Sequence, residues 1–569
     1  MAAVEVSPTP ASSESGLGSP LLFQRSMSGS ESLHVWLGTC GALRELPDMA
    51  DGELERKLRL PELTLLGVGA CIGAGIFVLT GVEAHVAGPS VGLSFLLAAV
   101  SSMFNGMCFS ELASRLPISG SAYLYTYCAI GELTALMVVA NQLMDYHIGA
   151  AALSRSLVAY LARGFSEALG ITVHECVVEC RPLPSALPWL SVSLGAPAVL
   201  GLVTFVVAGG AKTNATVTGA MTVLKVVIAL IVIFVGANMV DTSLWVPAFP
   251  HGLSATLEAA ATLNYAFIGY DVIANAAEEC VDPQRDVPAA IVGALSCCGL
   301  LYLCMCMVLC GMQSSSEMDL SAPVSSAFAQ RGMLRVASVI NVGAFAGMLT
   351  GLLAGLYGQS RIYFALARDH MAPAVLRGTP KCAVWCGGFA ALLAAFLDLQ
   401  QLASVLNIGV LLSYSMTAAS VLLINSCDRA SEGVLVAAVA ASAALLAVGQ
   451  RFWPLLCGLA ATALACLVAG AALRRGYTCC PSGTFSCPGK PLTPLVALIC
   501  NVYLAAELSW HAWVRLVAVA VFTVAVHSAV SCLGWLDHPH VRHSSVCKTV
   551  MSAANTAGTN AGVCGGACG

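Results

Sequence analysis

Apolar residues run in long continuous blocks from about residue 60 to residue 535, and short polar segments separate one block from the next. About fourteen blocks approach the ~20 residues with which a helix crosses a hydrocarbon core. They do not alternate and are far longer than the ~10 residues of a barrel strand, so the pattern predicts an all-α integral membrane protein. The predicted spans are 62–82, 88–109, 131–162, 185–210, 214–238, 252–276, 288–312, 334–360, 382–398, 400–426, 432–450, 452–473, 491–508 and 512–536.

Polar sequence at both ends predicts two tails outside the membrane. Residues 1–57 are rich in Ser, Pro, Gly and acidic groups and hold no apolar run of signal-peptide length, so we expect an uncleaved, disordered tail. Residues 537–569 form the second tail. Most Lys and Arg residues fall in the tails or in loops on their side, and the positive-inside rule therefore predicts that both termini are cytosolic. The sequon at Asn214 would then face the cytosol and escape glycosylation.

Composition narrows the possible functions. Charged residues make up 10% of the chain and its mean hydropathy is +0.82, whereas soluble domains carry roughly 25% charged residues. The 26 Lys and Arg against 31 Asp and Glu leave no basic excess for a nucleic acid. No Ser/His/Asp set or His/Cys cluster converges on one span, so we expect neither an enzyme nor a bound metal or other cofactor.

Cys176 and Cys180 lie close together in a polar stretch, where a disulfide, a weak metal site and free thiols all stay open.

The first span contains the segment GVGACIGAG, from Gly67 to Gly75. Four glycines so close together are costly in an uninterrupted helix, and glycine-interrupted spans are typical of transporter binding sites. Close packing of helices through small residues is the alternative. A dinucleotide-binding turn is excluded, because no strand precedes the glycines and hydrophobic sequence continues on both sides.

A second irregular span follows about 200 residues later, with NYAFIGYD at Asn264 to Asp271. Interrupted spans at the first and sixth positions are what two inverted five-helix repeats would produce. At such breaks, free backbone N–H groups can hold a carboxylate and free carbonyls can hold an ammonium group. An α-amino acid carries both groups, so the two breaks predict an amino acid site.

Several runs resemble the cationic amino acid transporter branch of the amino acid–polyamine–organocation superfamily. Near the first span these are GVGACIGAGIFVLTG, AGPSVGLSFLLAA and ELASRLPISGSAYLYTY. The later runs NQLMDYHIGAAALSRSLVAYL, YAFIGYDVIANAAEECVDPQRDVP and LTGLLAGLYGQSRIYFALAR are most similar to plant-type members. The resemblance implies a ten-helix core of inverted repeats at 58–427, with broken first and sixth helices, followed by four further spans at 428–536.

The resemblance also implies that substrate binds between the broken helices, mainly through backbone, with Phe267 as a side-chain gate. The expected substrate-binding residues are Ala70, Cys71, Ile72, Gly73, Ala74, Gly75, Tyr265, Ala266, Phe267 and Ile268. The implied function is secondary transport of amino acids by alternating access, with cationic substrates such as arginine and lysine and with proton or exchange coupling. A preference for neutral amino acids and a sensor role without net transport stay open. Apart from its substrate, the expected partner is the lipid bilayer, in the plasma membrane or the vacuolar membrane.

Ionisable groups inside the spans are candidates for function, because a charge in hydrocarbon costs several kcal/mol. Asp145 could neutralise a cationic substrate side chain, or it could pair with Lys225 or Arg155. Lys225 lies mid-way along the fifth span, where bacterial relatives of the family place a lysine that they use in proton coupling. A permanently charged Lys225 that braces the unwound first helix is the alternative. For His147, a packing role competes with a proton-carrying role.

Three glutamates lie at the cytosolic ends of the second and sixth spans: Glu111, Glu278 and Glu279. We expect them to act in a gate or in loop contacts, by pairing with Arg115 or Arg285, rather than to bind substrate.

Overall fold

A computed structural model describes most of the chain. The described residues are 54–73, 75–169, 174–178, 192–319, 322–369, 371–376, 378–397, 408–425, 485–506 and 510–532, with the single residues Leu402, Ala437 and Leu508. Their long elements are all helices, as the continuous apolar runs predicted. The helices of eight residues or more are α1 Leu60–Cys71, α2 Thr80–Ala87, α3 Val91–Arg115, α4 Ser121–Ala129, α5 Glu132–Leu169, α6 Gly195–Ala208, α7 Ala211–Ala237, α8 Gly252–Leu263, α9 Pro283–Met312, α10 Pro323–Gln330, α11 Leu334–Arg368, α12 Thr379–Phe396, α13 Ile408–Asn425, α14 Leu492–Ala506 and α15 Trp510–Cys532.

Both glycine-containing spans are interrupted. The first span ends as α1 at Cys71 and resumes as a π-helical turn, Gly75–Leu79, that runs directly into α2. The second consists of α8, the 3-10 turn Asn264–Phe267, a short helix Asp271–Asn275 and the 3-10 turn Ala277–Glu279. The predicted fold class, an all-α membrane protein with breaks in two spans, is therefore confirmed.

Helix contacts repeat in a two-fold pattern. The broken first span packs against α9, and the broken second span packs against α3. Likewise α7 packs against α11, while α13 packs against α5. The pairs α3–α9 and α6–α12 lie between the halves and are their own counterparts. This is the contact pattern that two inverted five-helix repeats produce.

Seven helical segments of the described part are long and apolar enough to cross a membrane, and α1, α6 and α14 are shorter apolar helices. Two helices continue beyond the predicted spans. Arg361 and Arg368, which follow the predicted span 334–360, lie in the last turns of α11, and Arg163, which follows the span 131–162, lies within α5. The predicted spans 432–450 and 452–473 lie outside the described residues, apart from Ala437.

Candidate functional site

The two helix breaks lie against each other at distances that only glycine allows. Gly269, in the second break, has a φ of +139°, and a Cβ built there would lie 2.7 Å from the Cβ of Ala70. A Cβ on Gly75 would lie 2.6 Å from the Cβ of Ala266. Both contacts are shorter than van der Waals separation, so these glycines bring the backbones of the breaks together.

A cavity of about 120 Å³ opens between the breaks, next to α5, α11 and α13. Four predicted residues of the first break and three of the second contribute to its wall. The lining residues are Ala70, Cys71, Gly73, Gly75, Asp145, Tyr146, Gly149, Ala150, Leu153, Tyr265, Ala266, Ile268, Gly269, Val272, Gly351, Leu352, Gly355 and Val410.

Three other predicted residues of the breaks are placed differently. Ile72 is buried and Phe267 is fully buried, and neither is among the cavity-lining residues. The Phe267 ring packs on Tyr302 with 5.0 Å between ring centroids, and its role as a gate stays a prediction. Ala74 lies outside the described residues.

The Tyr302 side chain, from α9, contacts a backbone carbonyl group of each break. Its hydroxyl donates toward the carbonyl oxygens of Cys71, at 2.8 Å, and Ala266, at 3.1 Å. The thiol of Cys71 in turn donates to the carbonyl oxygen of Phe267 at 3.3 Å. Backbone groups that the breaks free from helical bonding are thus partly satisfied across the interface.

The Lys225 side chain, from α7, is fully buried behind the first break. Its Nζ atom donates to the carbonyl oxygens of Gly69, at 2.7 Å, and Ile72, at 2.5 Å, and to the hydroxyl of Thr350 at 2.6 Å. An ammonium group has three N–H donors, so each donor has an acceptor here. The contacts are those of a brace on the end of α1.

Asp145 lines the cavity, but its ionic partner is neither of the two that the sequence suggested. One carboxylate oxygen pairs with Arg515 of α15, and the other accepts the backbone N–H of Val410 at 2.9 Å. Lys225 is instead bonded to carbonyl groups, and Arg155 donates to the carbonyl oxygen of Ala394. Arg515, which falls within the predicted span 512–536, lies in the second turn of α15.

Asp271 is a buried carboxyl group that is not among the predicted site residues. It lies at the start of the short helix after the second break, and it accepts hydrogen bonds from Tyr146 and, at 3.4 Å, from Gln142. Its Oδ1 atom has no hydrogen-bond partner, and no cationic side chain pairs with it within the described part of the chain. Since Tyr146 lines the cavity, Asp271 lies one side chain behind the wall. Its position directly after a break was the available signal.

The adjacent glutamates Glu278 and Glu279 tie the second broken span to α11. Glu279 pairs with Arg361 at 2.7 Å and accepts a hydrogen bond from Tyr357. Glu278 pairs with Arg368 at 3.1 Å and accepts the backbone N–H of Ser119 at 2.9 Å. The predicted pairing of these glutamates with Arg285 was therefore wrong.

Glu111 pairs with Arg115 at 2.8 Å, as predicted, and also with Lys490 at 2.6 Å. It further accepts the side-chain amide of Asn425 and the backbone N–H of Cys487, both at 2.9 Å. The contacts join α3 to the segment that precedes α14.

His147 makes packing contacts. Its Nε2 atom lies 3.0 Å from the hydroxyl of Tyr363, and its ring packs edge-on against Phe389 at 4.5 Å between centroids. It does not line the cavity.

No cluster of three or more potential metal ligands occurs among the residues that the structure describes. Cys180 and the side chain of Cys176 lie outside them, so the predicted alternatives for this pair stay open.

Comparison with known proteins identifies the family of the chain. A family model described as amino acid permease matches residues 58–469, and a model for the C-terminus of that family matches residues 485–532. The Arabidopsis thaliana protein named cationic amino acid transporter 9, chloroplastic, is 39% identical over 500 residues, which cover 84% of this chain and 88% of the relative. A branched-chain amino acid permease of Bacillus subtilis is 34% identical over 396 residues, or 68% of this chain and 84% of the relative. Human cationic amino acid transporter 4 is 33% identical over 403 residues, or 68% and 63% of the two chains. The chain is therefore a membrane-spanning member of the amino acid permease family, and its predicted similarity to plant cationic amino acid transporters is confirmed.

Proposed function

We propose that this permease moves cationic amino acids such as arginine and lysine across its membrane by alternating access. The observation that supports the proposal is the cavity between the two helix breaks, with Asp271, which has no ionic partner among the described residues, behind Tyr146. In the proposed binding mode, the substrate carboxylate meets free N–H groups of the helix that resumes at Gly75, and its ammonium group meets the carbonyl end of α1. The cationic side chain then extends toward the carboxyl group of Asp271.

The charges around the cavity favour a cationic side chain. Asp271 is fully buried and, among the described residues, has no ionic partner. When it is ionised, a buried carboxylate without a counter-charge attracts a cation strongly, because the surrounding medium screens charge poorly. The resemblance to transporters named for cationic amino acids agrees with this assignment.

A neutral substrate is the second candidate. Leu153, Val272, Leu352 and Val410 make part of the cavity wall apolar, and one bacterial relative is named a branched-chain amino acid permease. These observations support binding of a branched or straight aliphatic side chain.

Uptake of labelled arginine into proteoliposomes tests the proposal. We expect saturable uptake that lysine competes with strongly and leucine weakly. A preference for leucine would favour the neutral substrate. Arginine binding to purified protein without uptake would favour the sensor role instead.

For coupling, we propose that Lys225 braces the end of α1 and stays charged during the cycle. Its three acceptors support this role over that of a proton carrier. The residues of the gate are proposed to be Glu278 and Glu279, through their pairs with Arg368 and Arg361.

The membrane that the protein serves stays a prediction, as does the cytosolic position of both termini. The names of its relatives refer to chloroplasts, vacuoles and mitochondria, so they do not agree on one compartment. Localisation of a fluorescently tagged full-length chain tests the predicted plasma or vacuolar membrane.

A further inference from the structure

Helix α15 lies at the edge of the bundle. It packs against α5 and α13, while many of its large apolar side chains are exposed in the manner of lipid-facing residues. The exposed large side chains are Trp510, Trp513, Val514, Val517, Val521, Phe522 and Val526. An arginine that points inward from such a helix therefore requires a separate explanation.

Two polar contacts hold α15 antiparallel to α5. Arg515 pairs with Asp145, and His527 lies 3.9 Å from Glu132. At 1.5 Å per residue, the contacts lie about 18 Å apart along α15 and about 20 Å apart along α5. The matching distances fix the register of the two helices, so Arg515 has a defined position beside the cavity.

Helix attachment alone does not explain the Arg515–Asp145 pair. The side chains are 10% and 2% exposed, and Nε and Nη2 of Arg515 have no hydrogen-bond partner among the described residues. A buried ion pair with unsatisfied donors adds little stability, and apolar residues of similar volume often stabilise a protein as well or better. A contribution to the charge of the cavity is the more specific explanation.

We infer that Arg515 is a specificity-determining residue, which neutralises Asp145 and thereby weakens the binding of cationic substrate side chains. This inference rests on the proposed function. One oxygen of Asp145 already binds Arg515 and the other binds the N–H of Val410. A substrate cation that approaches Asp145 therefore shares an occupied carboxylate and is repelled by the guanidinium group.

The same reasoning separates the two carboxyl groups near the cavity. Asp145 is compensated by Arg515, whereas Asp271 has no ionic partner among the described residues. Helix α15 thus sets how many negative charges a substrate encounters. A change at position 515 should alter the preference for charge without altering the breaks that bind the α-amino and carboxylate groups.

Arg515→Gln tests the inference in full-length protein reconstituted in liposomes. The measurement is the ratio of inhibition constants for lysine and norleucine, which has a straight carbon chain of the same length without the ammonium group. In Arg515→Gln, the preference for lysine over norleucine should be at least about tenfold stronger than in the unmodified protein, because Asp145 becomes uncompensated. Arg515→Lys keeps the positive charge, so it should keep the lysine-to-norleucine ratio of the unmodified protein. Arg335→Gln, which removes an exposed arginine at the start of α11, is the control for net charge.

The double variant Asp145→Asn/Arg515→Gln covers the case in which Arg515→Gln does not fold. It removes both charges, so the lysine-to-norleucine ratio should stay within about twofold of the original. An unchanged ratio in Arg515→Gln, an equal loss of both ligands, or a tenfold shift in the double variant would each overturn the inference. An unmodified protein that transports no amino acid would instead contradict the proposed function.

Discussion

Gly73 and Gly75 lie two residues apart in the first break, but an added side chain would meet different surroundings at each. The nearest atom to a Cβ on Gly73 is the carbonyl oxygen of Gly347, at 3.9 Å, whereas a Cβ on Gly75 would lie 2.8 Å from the Cα of Ala266. Both glycines line the cavity. The sequence suggested one role for both, and the structure separates open space at Gly73 from close backbone packing at Gly75.

Gly73→Val should strongly weaken substrate binding while leaving the protein folded, because the new methyl groups occupy cavity space and displace little. We expect at least a tenfold loss of arginine affinity, or about 1.4 kcal/mol, with an unchanged melting temperature. Gly75→Val should also lower thermal stability, since overpacking costs about 1–3 kcal/mol. Gly201→Val, at a position on α6 with no atom within 4 Å of an added Cβ, is the control. Normal arginine binding by Gly73→Val would mean that substrate binds elsewhere.

At the scale of helices, α1 ends in the middle of the bundle, and α7 supplies the cation that meets its free carbonyl groups. Lys225→Met should destabilise the protein, because it leaves the carbonyl oxygens of Gly69 and Ile72 without a donor at about 1–3 kcal/mol for each buried group. The melting temperature of the purified protein measures this loss.

Lys225→Arg separates bracing from proton transfer, because arginine can donate to the same acceptors but does not deprotonate. If Lys225 only braces α1, the variant should keep arginine binding and the stimulation of uptake by an inward proton gradient. Lys212→Arg, at an exposed position on the same helix, is the matched control. Binding without stimulation would show that Lys225 lies on the proton path.

The helices and their breaks could be predicted because their causes are local. Glycines weaken a helix where they stand, and apolar runs mark spans within a few turns. The ionic partners could not be predicted in the same way. Asp145 and Arg515 are 370 residues apart in sequence, and neither the charge nor the spacing of Arg515 distinguishes it from a loop residue at a helix end. Asp271 was missed for a related reason, since its importance depends on the absence of a cation that only the packed helices could supply.

At the scale of the whole molecule, the segment before α1 covers one end of the bundle and lies next to a buried ion pair. Lys57 and Leu58 donate backbone N–H groups to the carbonyl oxygen of Glu279, at 2.8 and 2.9 Å, and Leu58 pairs with Cys280 in a parallel bridge. The Glu279–Arg361 pair lies directly beneath this cover. Cys280 is fully buried by these contacts, so its thiol can report on opening at this end.

Glu279→Gln should expose Cys280 more often, because it leaves Arg361 without its ionic partner. Breaking a buried pair from one side costs about 3–5 kcal/mol, which shifts the equilibrium toward the open arrangement. The rate of maleimide labelling, in a variant that keeps Cys280 as its only cysteine, measures this opening. Glu317→Gln, at an exposed glutamate, should leave the rate unchanged. Equal rates in both variants would remove the Glu279–Arg361 pair from the gate.

The Tyr302 hydroxyl gives the broken helices one more property. By donating toward the carbonyl oxygens of Cys71 and Ala266, it already satisfies groups beside the proposed ammonium site. A substrate ammonium group that uses these oxygens must therefore share or displace an existing donor, and a shared or exchanged hydrogen bond contributes less net free energy than a bond to a free carbonyl group would. Tight binding would slow a transporter, because it has to release its substrate in every cycle. In the proposed binding mode, we therefore expect the tyrosine to limit affinity in favour of rapid release of the amino acid.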